Sequence, residues 1–220
     1  MLEGVTAAYT ARLSDIRRFL AFLEEVARPL GPHSRPEILT AKGLYFVELY
    51  GVFEYAVTTT VSQVVKALND TAIPVEACQP VLLGLGLDAE CKSMTAAGPK
   101  THWEKRCSLF ARTRVPDPLQ IDDNVLPIGI GTIKFRHLQR IWSTFNLRDP
   151  VLPNMSLRGG LEDVTDKRMA ISHGRESASD VGRRYSFDEL AKRHTAIDLV
   201  CGHIVQSFET YLASEHYFFP

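Results

Sequence analysis

The sequence predicts an all-α fold, and three observations carry that prediction. Apolar residues recur every three or four positions over long stretches, which is the spacing of one helical face. The breaks between those stretches fall at proline and glycine, which stop helices. The apolar run in the middle of the second long stretch has aromatic and β-branched content that could also suit a strand, but its length and lack of turn signals favour helix, and no internal repeat or low-complexity tract interrupts the pattern. The composition permits one folded body: 220 residues, 45% hydrophobic and 23% charged, with net charge −1. That balance excludes a broadly basic, nucleic-acid-coating chain but leaves room for a local basic site.

The first helix is expected over Val5–Ala27, where Val5, Tyr9, Leu13, Ile16, Leu20 and Leu23 form one stripe. The run Arg28-Pro29-Leu30-Gly31-Pro32 ends it. A second helix starts near Pro36, a good first-turn residue, and runs to about Asn69. Its middle, LYFVELYGVFEYAV, is apolar on nearly every side, as in a helix surrounded by others. A third is expected from Val75 to about Leu87, with weaker patterning through Lys92 and Met94, and a fourth from Trp103 to Arg112. The stretch 114–131 holds three prolines and two glycines in 18 residues and reads as one long irregular loop. Helical spacing resumes over Thr132–Phe145 through Ile133, Leu138, Ile141 and Trp142. A further helix runs from Leu157 or Leu161 to Ser172, followed by a Gly/Ser/Arg-rich connection. Ser186 with Glu189 three residues on forms a capping box, and the last helix continues to about Ala213.

No address label or membrane span is expected. The N-terminal stretch mixes charge into its apolar residues, unlike a signal peptide. The most apolar run, Leu44–Val57, contains Glu48 and Glu54 and is shorter than the roughly 20 residues a span needs. Four cysteines (78, 91, 107 and 201) lie far apart without a C-x-x-C, so neither a zinc site nor a disulfide framework is expected. The expectation is a cytoplasmic protein with no metal, no cofactor and no membrane partner.

Phosphate-loop, serine-hydrolase and zinc-protease motifs are absent, and the glycine pairs 84/86 and 129/131 lack a dinucleotide loop's context. The chemistry-bearing segment is Asp166-Lys167-Arg168-Met169-Ala170-Ile171-Ser172-His173-Gly174-Arg175. Histidine titrates near neutrality and can move the proton of a 2′-hydroxyl or a leaving 5′-oxygen. Arginine forks onto phosphate oxygens and stabilises charge growing there. Five residues along a helix turn by roughly 140° and rise about 7.5 Å, so the two side chains do not share a face. They can meet one phosphate where the helix end frays, or where a second subunit completes the site. The plainer reading stands beside it: a helix-end histidine before glycine is also a common C-cap. Spacing alone does not decide, since Arg28 and His33 show it too, in a Pro/Gly turn.

The run K-R-M-A-I-S-H-G-R, followed by V-G-R-R-Y-S-F-D-E-L and a long amphipathic helix, resembles the HEPN superfamily. It is most similar to stand-alone bacterial HEPN proteins of the RiboL-PSP-associated type, whose motif commonly reads R-N-A-I-A-H-G. Arg168 and His173 fall on the motif's arginine and histidine, with Ala170, Ile171 and Gly174 matching around them. The apolar helix with Glu54 in G-V-F-E-Y-A, and the segment I-K-F-R-H-L-Q-R-I-W-S-T-F-N-L, extend the likeness over about 36–212. The resemblance implies a HEPN-like helical bundle as a single domain, 1–220. Residues 1–30 are its N-terminal helix, 36–213 its core and 214–220 an aromatic tail. It also implies a homodimer joining two motifs in one cleft, and a metal-independent endoribonuclease leaving a 2′,3′-cyclic phosphate. Such proteins act in toxin or phage-defence systems, so RNA and an antitoxin or co-encoded defence protein are the partners implied. Met169 departs from the pattern, where a polar residue is usual. A catalytically silent HEPN-fold module binding RNA or a partner protein therefore stands as the alternative, with a small-ligand-binding helical domain behind it.

Lys167, Arg168, Arg175, Arg183, Arg184, Lys192 and Arg193 face only Glu176, Asp180, Asp188 and Glu189 within 167–193, which leaves +3 in a chain of −1. Lys167, Arg175, Arg183 and Arg184 are the RNA-binding candidates; a solvated helix face is the structural counterpart. Glu54 is either an orienting partner for Arg168 or a counter-charge in the core, since a carboxylate among Val52, Phe53 and Tyr55 needs a partner. Trp103, Trp142 and Tyr217-Phe218-Phe219 have faces on which bases can stack, although core packing or a subunit contact is the plainer role. The tail His216–Pro220 is expected to dock on a neighbouring molecule.

Overall fold

A computed structural model of the chain describes residues 2–28, 35–122 and 132–219. The helices are α1 (Glu3–Ala27), α2 (Pro36–Thr71), α3 (Leu83–Gly86), α4 (Asp88–Thr95), α5 (His102–Arg112), α6 (Phe135–Phe145), α7 (Leu157–Ser172), α8 (Ala178–Arg183) and α9 (Phe187–Ala213). Short 3-10 turns occupy Val75–Ala77 and Pro80–Leu82. Among the described residues there is no strand, only isolated bridges between Pro74 and Pro118 and between Cys78 and Phe218. The fold is all-α. Among the described residues, no helix is long and apolar enough to cross a membrane. The turn at 29–34, with His33, and the stretch 123–131, with Gly129 and Gly131, lie outside the described residues, as does Pro220.

The chain divides into two compact units. The first comprises Met1–Thr60, Ile130–Arg136 and Pro150–Gln206. In it, α1 buries the stripe the sequence marks, Val5, Tyr9, Leu13, Ile16, Leu20, Leu23 and Ala27. The middle of α2 is its centre, with Tyr45, Phe46, Leu49, Tyr50 and Phe53 at most 1% exposed. Helix α8 crosses α2 at backbone distance. A Cβ on Gly43 would lie 1.9 Å from the Ala178 carbonyl oxygen, and one on Gly182 would lie 1.9 Å from that of Leu39. Only glycine allows that approach. Asp163 of α7 accepts hydrogen bonds from Tyr185 (2.7 Å) and from Arg193 of α9 (2.7 Å). His194 of α9 and Tyr45 of α2 share a buried hydrogen bond of 2.9 Å at Nδ1. The capping box forms as read, with the Ser186 N–H donating to Glu189 and the Glu189 N–H to Ser186 Oγ.

The second unit comprises Val61–Gly129, His137–Asp149 and Ser207–Pro220. Its core joins Val61, Val64 and Leu68 of α2 to Leu138, Ile141 and Phe145 of α6, with Phe208 and Tyr211 of α9. Phe145, Phe208 and Tyr211 meet edge to face at ring distances of 5.1–6.2 Å, a favoured aromatic geometry. The Asn69 side chain donates to the Ile121 carbonyl and accepts from its N–H, both at 2.9 Å. That pair holds the irregular stretch at Ile121.

Several expectations are corrected. The single helix expected over Val75–Leu87 is instead two 3-10 turns and the four-residue α3, because Pro80 supplies no N–H and the backbone around it is used elsewhere. The Gln79 N–H donates to the Tyr217 carbonyl (2.8 Å) and the Phe219 N–H to that of Ala77 (2.8 Å). The C-terminal tail therefore pairs with its own unit, with Tyr217 buried and Phe219 exposed. Helix α6 begins at Phe135, not Thr132, since the Ile133 N–H is held by a side chain of α2. The connection after α7 contains α8, a helix too short to leave a periodic signal.

Candidate functional site

Arg168 and His173 belong to the first unit, at the C-terminal end of α7. Ser172 is the last helical residue and His173 the C-cap, with φ −96° and ψ 8°. Gly174 follows at φ +65°, in the left-handed region where glycine carries no Cβ penalty. The Gly174 N–H donates to the Ile171 carbonyl (3.0 Å) and the Arg175 N–H to that of Ala170 (2.9 Å), the two bonds of a Schellman ending. The letters A-I-S-H-G-R thus have a complete local reason to close a helix. This ending also turns His173 out of the helix, exposed to solvent.

Arg168 is half-buried and held on two sides. Its Nη1 donates to Thr132 Oγ1 at 3.0 Å, and its Cζ lies 4.4 Å from the centroid of the Tyr50 ring. That is cation–π distance. Tyr50 Oη donates to Glu54 Oε1 (2.9 Å) and accepts from the Ile133 N–H (2.8 Å). Burial, reinforced by the Glu54 carboxylate, pushes the Tyr50 hydroxyl up to about 12 against the opposing pull of the Ile133 N–H and of Arg168. The phenol therefore stays protonated as a donor. Glu54 and Arg168 form no ion pair among the described residues; Tyr50 touches both. Glu54 meets its hydroxyl and Arg168 its ring.

Beside the motif, a cleft of about 370 Å³ is lined by Lys134, Asp166, Lys167, Met169, Ala170, Arg175 and Glu176. Of these, Lys134 and Asp166 form an ion pair, with Nζ 3.2 Å from Oδ1. Two of the basic candidates, Lys167 and Arg175, line this cleft, whereas Arg168, His173, Arg183 and Arg184 do not. Arg184 is paired with Glu176, and Arg183 is exposed at the end of α8. Arg193 is committed to Asp163 at 2.7 Å, an acid outside 167–193 that offsets part of the +3. Met169 sits in the cleft wall as an apolar patch between charges.

The site therefore has two faces. One holds the arginine rigidly on Tyr50 and Thr132, with Glu54 behind. The other is a polar cleft with lysine and arginine at its rim. Trp142 takes no part: it is buried in the second unit and its Nε1 donates to the Asp149 carbonyl at 2.9 Å. Trp103, for which core or subunit packing was the plainer expectation, is 68% exposed. Tyr50, Thr132 and Lys134 escape sequence reading. Tyr50 is four residues before Glu54, one helical turn, and that spacing is the only signal they offer.

No protein-family model, curated protein or solved structure matches the chain.

Proposed function

We propose that the protein is a metal-independent endoribonuclease of HEPN type, in a toxin or phage-defence setting, working as a homodimer in the cytoplasm. The observation that carries this reading is the pairing of a fixed arginine with an exposed histidine at one helix end. Arg168 spends one of its five N–H donors on Thr132 and offers a guanidinium locked in place for a phosphate. In the proposed step His173 takes the proton of the 2′-hydroxyl as its oxygen bonds to phosphorus. The P–O5′ bond breaks, the 5′-oxygen leaves as a hydroxyl with a proton from a second imidazole or water, and a 2′,3′-cyclic phosphate remains. Arg168 neutralises the charge that gathers on the non-bridging oxygens. A dimer that brings two helix ends together supplies the second imidazole.

The test is cleavage of single-stranded RNA by purified protein in the presence of EDTA. Cleavage is expected to survive the chelator, to fall by about 10²–10⁴-fold in His173→Ala, and to fall by about 10²–10³-fold in Arg168→Ala. A rate that does not change between about pH 5 and 8 counts against an imidazole in the proton transfer.

One observation favours a second reading, a catalytically silent module that binds RNA or a partner protein. The cleft beside the motif is walled by Met169, Lys167 and Arg175, and neither Arg168 nor His173 enters it. RNA that stays intact under all conditions, yet is bound in a way that Lys167→Ala and Arg175→Ala weaken, selects this reading.

A further inference from the structure

Helix α5, in the second unit, turns its large aromatic side chains to solvent. None of its residues is buried, and its two largest apolar side chains, Trp103 and Phe110, are 68% and 66% exposed. On the side facing α4, Lys105, Ser108 and Leu109 line a groove with Ala89, Glu90 and Ser93 of that helix. Seven residues separate Trp103 from Phe110, so they lie on one face about 10.5 Å apart along the axis. Arg106 sits between them on that outward face, its Cζ 4.9 Å from the Trp103 ring centroid. Lys100 and Arg114 flank the two ends and are exposed. Over 100–117 five basic residues stand against Glu104 and Asp117, +3 in a chain of −1.

The cations around the two exposed rings identify the kind of partner they would take. Interleaved aromatic rings and cations form the arrangement on which successive bases stack while phosphates are neutralised. A membrane surface is the poorer fit, because an interfacial helix needs a continuous apolar face and here Arg106 divides two isolated rings. We propose that the outward face of α5 binds single-stranded nucleic acid, with Trp103 and Phe110 stacking on bases and Lys100, Arg106 and Arg114 on phosphates. This holds whether or not the α7 site cleaves RNA.

Tryptophan fluorescence tests it, because the chain has two tryptophans and only Trp103 is exposed. The probe is oligodeoxyadenylate of about 12 nucleotides, within usual site sizes; it lacks the 2′-hydroxyl, so binding is read apart from any cleavage. Titration into the full chain is expected to quench Trp103, and Trp142→Phe is expected to leave that quenching intact. Trp103→Ala and Phe110→Ala, at exposed positions that leave the fold unchanged by circular dichroism, are expected to weaken binding by roughly 5- to 150-fold each, followed by anisotropy of a labelled probe. Three phosphate contacts give a salt slope near −2, or about 20-fold weaker binding from 50 to 200 mM salt, and Arg106→Ala is expected to reduce that slope by about 0.7. Unquenched Trp103, or unchanged affinity in the triple Trp103→Ala, Arg106→Ala, Phe110→Ala variant, overturns the proposal. So does a response of Trp103 to anionic vesicles and not to the oligonucleotide. Loss of RNA cleavage in His173→Ala with oligodeoxyadenylate binding retained separates this surface from the α7 site.

Discussion

Replacing Tyr50 by phenylalanine is expected to loosen the arginine's support without moving its ring. The ring, which carries Arg168 at 4.4 Å, is kept. The hydroxyl, which accepts from Ile133 at 2.8 Å and donates to Glu54 at 2.9 Å, is lost. Ile133 is 1% exposed, so its N–H is left in a site that water does not readily reach; such an orphaned donor costs about 1–3 kcal/mol. The Glu54 carboxylate is only half-buried and can be rehydrated, so that bond contributes at the low end, about 0.5–1.5 kcal/mol. The sum is about 1.5–4.5 kcal/mol. At this chain length it corresponds to a Tm lowered by about 3–18 °C. Thermal and urea unfolding followed by far-UV circular dichroism measure it. Glu54→Gln keeps an oxygen acceptor and is expected to cost less. A double-mutant cycle of the two changes is expected to show coupling of at least about 0.5 kcal/mol. Alkaline pH gives an independent arm. Because the folded-state value of Tyr50 lies near 12 against an ordinary 10, its contribution is full below pH 10 and is lost as pH rises through 12. Tyr50→Phe removes that part of the alkaline loss. A variant within about 0.5 kcal/mol of the parent, with an unchanged alkaline limb, refutes the argument that the hydroxyl holds the 132–134 segment.

Three further outcomes are expected. Gly43→Ala or Gly182→Ala places a methyl group against a carbonyl oxygen at 1.9 Å, and each is expected to destabilise by about 2 kcal/mol or more in urea titrations, whereas Gly51→Ala, which meets nothing, is expected to be neutral or mildly stabilising. His194 is held below its ordinary value by burial and then by Arg17, against Asp198. The stability it gives is therefore fully present above about pH 6.5 and declines as pH falls through its folded-state value, by at most about 1.4 kcal/mol per pH unit; His194→Gln is expected to flatten the acid limb, and an unchanged limb counts against this assignment. Truncation after Ala213 removes buried Tyr217 and its bonds to 77–79, and is expected to lower stability by about 3 kcal/mol in thermal melts.

Helical periodicity by itself determined the all-α class, the long helices and the capping box at Ser186, because those depend on residues three or four positions apart. It also placed the helix end at His173-Gly174, since a Schellman ending is written in neighbouring letters. Other features depend on residues far apart in the chain, and only the tertiary structure decided them. Pro80 and the tail broke the expected third helix because Gln79 pairs with Tyr217, 138 residues on. Tyr50 and Thr132 hold Arg168 across gaps of 118 and 36 residues, a relation that no local spacing encodes. The same limit hid which basic residues remain available. The count of +3 over 167–193 is a property of the sequence, but the pairing of Arg184 with Glu176 and of Arg193 with Asp163 is a property of the fold. Exposure was decided there as well: packing buries Trp142 and leaves Trp103 on an open helix face.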